Sequence, residues 1–131
     1  MVSFKGKTVL VTGGSRGIGQ AIVLKFASLG ANVVINYVSS EARANDLAKK
    51  VHELGGKSLV VQGDVSKFAE SQNIIDQAIE AFGKIDVLVN NSGITRDNLM
   101  LRMSEEDFDQ VINVNLKGTW NMCKNITRHF L

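Results

Sequence analysis

The chain has 131 residues, 44% hydrophobic and 21% charged, with a net charge of +2. That fits one globular domain able to bury a core without disulfides. So small a charge gives no reason to expect nucleic acid or a membrane surface as partner, and no apolar run approaches the roughly 18 residues of a membrane helix or forms a secretory signal.

In chain order, residues 7–12 (KTVLVT) are a β-branched run, read as a buried strand. Ile18, Ile22, Phe26 and Leu29 follow at helical spacing, and Gly30 stops that helix. Asn32–Tyr37 (NVVINY) is a second strand. Ala44, Leu47, Ala48, Val51 and Leu54 mark a second helix, ended by Gly55 and Gly56. Residues 58–61 form a third strand; Ile74, Ile75, Ala78, Ile79 and Phe82 mark a third helix, ended by Gly83. Residues 86–90 (DVLVN) are a fourth strand. A last helix starts near Ser104, where Asp107 completes a capping box, and runs toward the end with a break expected near Gly118. Strand and helix alternate four times, which predicts an α/β fold with a doubly wound parallel sheet. Such sheets bind ligands at the carboxyl ends of their strands. The polar segments there are 12–19, 36–40, 63–64 and 90–93.

The first of these, TGGSRGIG, places glycines between a strand and a helix. Glycine lets backbone approach a ligand closely, and free N–H groups at a helix start attract an anion such as phosphate. The P-loop pattern fails, because Gln20 and Ala21 follow Gly19 where lysine and a hydroxyl are needed. The common G-x-G-x-x-G spacing fails too, since Ile22 stands at its last position. Alone, the motif also reads as a plain tight turn.

What fits is T-G-x-x-x-G-x-G, in which the chain resembles the short-chain dehydrogenase/reductase family. The family's other motifs follow in order. Gly63-Asp64-Val65 resembles its adenine-binding aspartate corner, Asn90-Asn91-Ser92-Gly93 its N-N-A-G, and Asn113-Val114-Asn115 its N-x-N. The stretches INYVSSEARAN, NSGITRDNLMLRM and INVNLKGTWN are similar to the bacterial 3-oxoacyl-acyl-carrier-protein reductases. The resemblance implies a Rossmann-type dinucleotide-binding domain over residues 1–131, incomplete on its carboxyl-terminal side. It implies cofactor contacts from Thr12, Gly13, Ser15, Arg16, Gly17, Ile18, Gly19, Asn36, Tyr37, Ser39, Asp64, Val65, Asn91, Ser92 and Gly93. Asn115 is the implied catalytic asparagine, holding a water in a proton relay. Ser92 stands where the family usually has alanine.

An acid ending the second strand would select NAD. Asn36, Tyr37 and Val38 stand there instead, and Glu41 is expected to start the next helix and face away. Arg16 can give a charge-assisted fork to a 2′-phosphate, with Ser15, Ser39 and Ser40 adding hydroxyls, so NADP(H) is the expected cofactor. A solvated arginine and ordinary serine helix caps are the plainer alternatives. Asp64 also reads as a strand-end or cap residue, and Asn90 as a tie to neighbouring strands. Cys123, the only cysteine, reads as a small buried hydrophobe and makes a reducing, cytoplasmic setting the expectation. His52 and His129 read as surface residues, and no metal site is expected.

In the family a serine and a Y-x-x-x-K pair carry the proton chemistry. The one tyrosine here, Tyr37, has Glu41 four residues on. The resemblance therefore implies the cofactor half of a reductase, without an acid catalyst typically worth about 100- to 10,000-fold. The substrate implied is an acyl-carrier-protein-linked or other small carbonyl compound. A non-catalytic NADP(H)-binding module, or a half-fold completed by pairing, is the alternative. An open fourth strand, with Trp120 and Met122 as apolar surface, predicts a homo-oligomer or self-association.

Overall fold

The computed structural model describes residues 3–15, 17–94 and 99–131. Strands β1 (Thr8–Val11), β2 (Asn32–Tyr37), β3 (Ser58–Gln62) and β4 (Val87–Val89) pair in parallel in the order β3-β2-β1-β4. Val9 sits opposite both Val33 and Val87, and Val33 opposite Ser58. The chain steps outward from β1 to β3, then crosses back to lay β4 on the other side of β1. The expected doubly wound sheet is therefore the observed one, with its strand order reversing at β1.

Alternation along the strands feeds two cores. Val9, Val11, Val33 and Ile35 point to one face, against α1 (Gly17–Ser28) and α2 (Glu41–Glu53). Leu10, Val34 and Val61 point to the other, against α3 (Phe68–Phe82) and α5 (Gly118–Phe130). Each such side chain, once fully buried, contributes roughly 1.5–3 kcal/mol. β1 is covered on both faces, which is why its sequence is a continuous apolar run rather than an alternation.

Several helix details differ from the sequence pattern. In α1 the buried face is Gly19, Val23 and Ala27, whereas Ile18 is 75% exposed. The small residues sit against the sheet because α1 starts so close to it. Leu54 lies past the end of α2 and is half exposed. Met122 is fully buried, not surface, because it points into the core between α3 and the sheet. Trp120, two residues earlier, turns outward and rests on Phe68, with ring centroids 6.2 Å apart. Cys123 is exposed, not buried, being the next residue round the helix from Met122; its sulfur accepts a long 3.5 Å hydrogen bond from Asn90. That bond ties Asn90 to the last helix rather than to a neighbouring strand.

The Ser104–Asp107 capping box forms as expected and starts α4 (Glu105–Val111). The expected break near Gly118 is instead a change of winding: Ile112–Lys117 form a π-helical stretch, and α5 continues from Gly118. His52 and His129 lie on exposed helix surfaces, as expected. Among the described residues no helix is long and apolar enough to cross a membrane.

At the amino end of the sheet, Asp86 joins β4 to β1. Its carboxylate accepts the Thr8 N–H at 2.8 Å and pairs with Lys84 at 3.3 Å. Desolvation pushes its pKa up, but the Thr8 N–H and Lys84 outweigh that and hold it below its ordinary 3.8. A lowered folded-state value means the stabilisation is complete above pH 3.8 and is lost as pH falls through the lower value. Urea titrations across pH 2–6 should thus show Asp86→Asn with a flatter acid limb than the native chain. At neutral pH, Met122→Ala should cost about 2–5 kcal/mol by urea midpoint. Trp120→Ala should cost about 0.5–1.5 kcal/mol, the worth of an aromatic pair.

Candidate functional site

The carboxyl ends of all four strands open into a cleft of about 590 Å³, within the usual size range of ligand sites. Its floor and near wall come from the turn after β1 (Gly13, Ser15) and the turn after β4 (Asn91, Ser92, Gly93, Ile94). One end is closed by the β2–α2 connection, 37–40, and by Asp64, Val65 and Ser66 after β3. Gln110, Asn113 and Val114 close the other side.

The glycine turn is held in place by side chains that do not themselves line the cleft. Thr12 is 1% exposed. Its hydroxyl accepts the N–H groups of Asn91 and Ser92, at 3.0 and 3.1 Å, and donates to the Val89 carbonyl at 3.4 Å. Asn36 is fully buried: its Oδ1 accepts the Gly13 N–H, and its Nδ2 donates to the carbonyls of Val61 and Gly63. Asn91 donates from Nδ2 to the Gly13 carbonyl at 3.0 Å. Asn36 is among the expected cofactor contacts. The geometry makes it a tie between the glycine turn and β3, since all its bonds are to backbone.

Two glycines are required by this packing. Gly13 has φ of +60°, and a Cβ there would come within 3.1 Å of Ser92. A Cβ on Gly19 would overlap the Gly13 carbonyl and lie 2.6 Å from Asn91 Nδ2. The start of α1 can therefore press against the turn only with glycine at 19. Gly17 and Ile18 occupy its first turn, outside the cleft lining, with the Ile18 side chain in solvent.

Ser15, Tyr37, Ser39 and Ser40 all face the cleft. Ser40 stands at the N-cap of α2 but makes no side-chain cap bond, so its hydroxyl is not used as an ordinary cap. Glu41 begins α2 and is exposed, as expected. Asp64 holds the N–H and hydroxyl of Ser66 on Oδ1, at 2.9 and 2.7 Å, which fixes the corner after β3. Arg16, which carried the 2′-phosphate expectation, lies outside the described residues.

Asn115 sits in the π-helical stretch, and both ends of its amide grip Ile94. Oδ1 accepts the Ile94 N–H at 2.8 Å and Nδ2 donates to the Ile94 carbonyl at 3.0 Å. One amide N–H and one lone pair remain for a further partner. Asn115 thus stands behind Gly93 and Ile94, while Asn113 and Val114 line the cleft. Sequence reasoning missed Gln110, Val114, Val38, Ser66 and Ile94 as lining residues. For Gln110 and Val114 the signal was available: they fall three residues before and one after Asn113 on one helix face.

Nine of the expected contacts, Gly13, Ser15, Tyr37, Ser39, Asp64, Val65, Asn91, Ser92 and Gly93, line one cavity. A dinucleotide fits this set: close-approach backbone at Gly13, the start of α1 beside it, and neutral hydroxyls and amides around the rim. Thr12→Val should strand the Ser92 N–H and leave the Asn91 N–H with only the Val89 carbonyl, at 3.1 Å. The expected cost is about 1–3 kcal/mol in urea denaturation. Thr12→Ser, which keeps the oxygen, should lose no more than about 1 kcal/mol, one methyl's worth.

Comparison with known proteins agrees with this geometry. The chain matches the short chain dehydrogenase family over residues 7–131. The 3-oxoacyl-acyl-carrier-protein reductase of Staphylococcus epidermidis is 43% identical over 125 residues, covering 95% of this chain and 51% of that protein. Its Synechocystis counterpart is 40% identical over 131 residues, covering 100% of this chain and 53% of the relative. The chain spans about half the length of the curated relatives it matches. Among solved structures, a short chain dehydrogenase from Burkholderia cenocepacia in complex with NADP superposes with TM-score 0.93 at 38% identity, over 96% of this chain and 51% of that one. A Sinorhizobium meliloti dehydrogenase/reductase gives TM-score 0.94 at 35% identity, over 97% and 50%. With its glycine turn, aspartate corner and Asn115 clamp assembled at one cleft, the chain belongs to the short-chain dehydrogenase family.

Proposed function

We propose that this chain forms the NADP(H)-binding half of a 3-oxoacyl-acyl-carrier-protein reductase. The single observation that carries the reading is the convergence of Gly13, Ser39, Asp64, Asn91 and Ser92 on one cleft at the strand ends. Relatives 40–43% identical that are named as such reductases support the activity, and the neighbour solved with NADP supports the cofactor.

In this reading Asp64 and Val65 would hold the adenine end, and Gly13 and the start of α1 the diphosphate. Ser92 and Gly93, backed by the Asn115 clamp, would hold the nicotinamide. When bound, the cofactor would supply a hydride to a carbonyl carbon. The chain's own part is to orient the dinucleotide and hold the Gly93–Ile94 wall in register. Arg16 adjoins Ser15 in sequence and supplies the positive charge for a 2′-phosphate, with Ser39 and Ser40 as hydroxyl partners and no acid at the end of β2 to repel it. Proton donation to the substrate is not assigned to any residue of this chain. Tyr37 is only 8% exposed and packs in the core with α1 and α2.

The protein works in this reading as a homo-oligomer on an acyl-carrier-protein-linked or similar carbonyl substrate. Phe108, Ile112, Leu116 and Trp120, exposed by 39–65% at four-residue intervals, support the self-association.

Calorimetric titration tests the cofactor. NADPH should bind at least about tenfold more tightly than NADH, and Arg16→Ala should weaken NADPH by about ten- to a hundredfold while sparing NADH. Equal or tighter binding of NADH would overturn the NADP(H) assignment.

A further inference from the structure

Two residues of α5 reach the far corner of the cleft, although neither lines it. Asn121 is fully buried, and its Nδ2 donates to the Val65 carbonyl at 2.8 Å. Its Oδ1 is buried without a hydrogen-bond partner, so the amide is kept there at a cost. One turn earlier, Gly118 is buried against the same residue: a Cβ on it would lie 2.6 Å from Val65 Cγ2 and 3.3 Å from Val65 Cβ. Nothing in helix formation calls for glycine at that position, where it is destabilising relative to alanine. The close approach of α5 to Val65 does call for it.

We propose that Gly118 and Asn121 are positioning residues that set the Asp64–Val65 corner, and through it the affinity for the adenine end of the nucleotide. The proposal rests on the reading that adenine binds at that corner. Geometrically, the corner is held from three sides, one of them α3, where Glu70 Oε1 accepts the Asp64 N–H at 3.1 Å. Asp64 folds back on Ser66 within the loop, while Asn121 fixes the Val65 carbonyl from the helix behind it. Gly118 fixes the distance between helix and loop. Without the Asn121 bond, the Val65 peptide loses its anchor, and the Asp64 carboxylate one residue away moves with it. With a methyl at 118, helix and loop must separate by a few tenths of an ångström or more.

Asn125 supplies the control. It lies one turn further along the same face and bonds Ser71 Oγ and the Phe68 carbonyl, so it ties α5 to α3 without touching residues 64–65. A general loosening of α5 would act through either asparagine. A positioning role is specific to Asn121 and Gly118.

The experiment is a calorimetric titration of the native chain and of Asn121→Ala, Gly118→Ala, Asn125→Ala and Asp64→Ala. The probes are adenosine 2′,5′-bisphosphate for the adenine half and nicotinamide mononucleotide for the other half. Asn121→Ala and Gly118→Ala should each weaken the bisphosphate about five- to tenfold and leave the mononucleotide within about twofold. Asn125→Ala should lower the urea midpoint but leave both affinities within about twofold. If Gly118→Ala does not fold, Asn121→Ala against Asn125→Ala decides alone. The inference is overturned, with the adenine reading intact, if Asp64→Ala weakens the bisphosphate while Asn121→Ala leaves it unchanged, or if Asn125→Ala weakens it equally. If the native chain does not bind the bisphosphate, or Asp64→Ala has no effect on it, the adenine reading fails and the inference falls with it.

Discussion

The cleft depends on one buried hydroxyl. Where β1 ends, its backbone leaves the sheet, and the turn after β4 leaves beside it. The Thr12 and Asn91 N–H groups still reach the Val89 carbonyl, at 3.0 and 3.1 Å, but the Ser92 N–H is beyond the strand and needs another acceptor. The Thr12 hydroxyl accepts those of Asn91 and Ser92 while holding the Val89 carbonyl, so one side chain closes both strand ends. Buried donors without partners cost more than a formed hydrogen bond returns. The alternative to Thr12 is therefore a splayed turn rather than a slightly weaker one. Asn36 does the same for the other side, tying Gly13 to the carbonyls after β3. With both in place, the Gly13 peptide is fixed at its N–H and its carbonyl, by Asn36 and Asn91. A backbone held this way can meet a phosphate without rearranging, which is the advantage of preorganisation in binding.

The last helical run plays a comparable part on a larger scale. Its residues Gln110, Asn113 and Val114 line one side of the cleft, and Asn121 reaches the Val65 carbonyl behind the far corner. Asn115 grips Ile94 near one end, and Asn121 grips Val65 near the other. A regular α-helix turns 100° per residue, so groups six residues apart point in widely different directions. The π-helical stretch at Ile112–Lys117 changes that register locally. It lets the helix present Asn113 and Val114 to the cleft and Asn115 to Ile94, yet still bury Met122 and Ile126 in the core.

Much of this was legible in the sequence, for identifiable reasons. Strand positions came through because β1 and β2 are apolar runs bounded by glycine and polar turns. The Ser104–Asp107 box came through because its chemistry is local. The cleft was legible as polar segments at four strand ends, three of them carrying motifs. What failed was the direction of individual side chains. Met122 and Cys123 are neighbours on one helix, and only the angle at which α5 meets the sheet decides which is buried. In α1, Ile18 and Ile22 formed the obvious apolar stripe, but Ile18 points to solvent and Ile22 packs only at the margin of the core, while Gly19, Val23 and Ala27 fill the closest contact. Asn36 is the most instructive case. Its place at the end of β2 was right, but its role depends on β3 and the glycine turn arriving on either side of it. No local pattern carries that information.

The chemical character of the cleft follows from the same economy. Among the described residues lining it, the ionisable side chains are Tyr37 and Asp64; the remaining polar lining is serine, asparagine, glutamine and backbone. Tyr37 is packed in the core, and the Asp64 carboxylate is engaged by Ser66 through two hydrogen bonds. Neutral donors and acceptors suit a site whose task is to hold a nucleotide in one orientation, because they avoid the large desolvation cost of buried charge. Moving protons calls for the opposite: groups whose pKa values environment has brought near the working pH. The lining of the described cleft is of the first kind, and Asn115 and Asn121 hold the backbone of its walls at Ile94 and Val65.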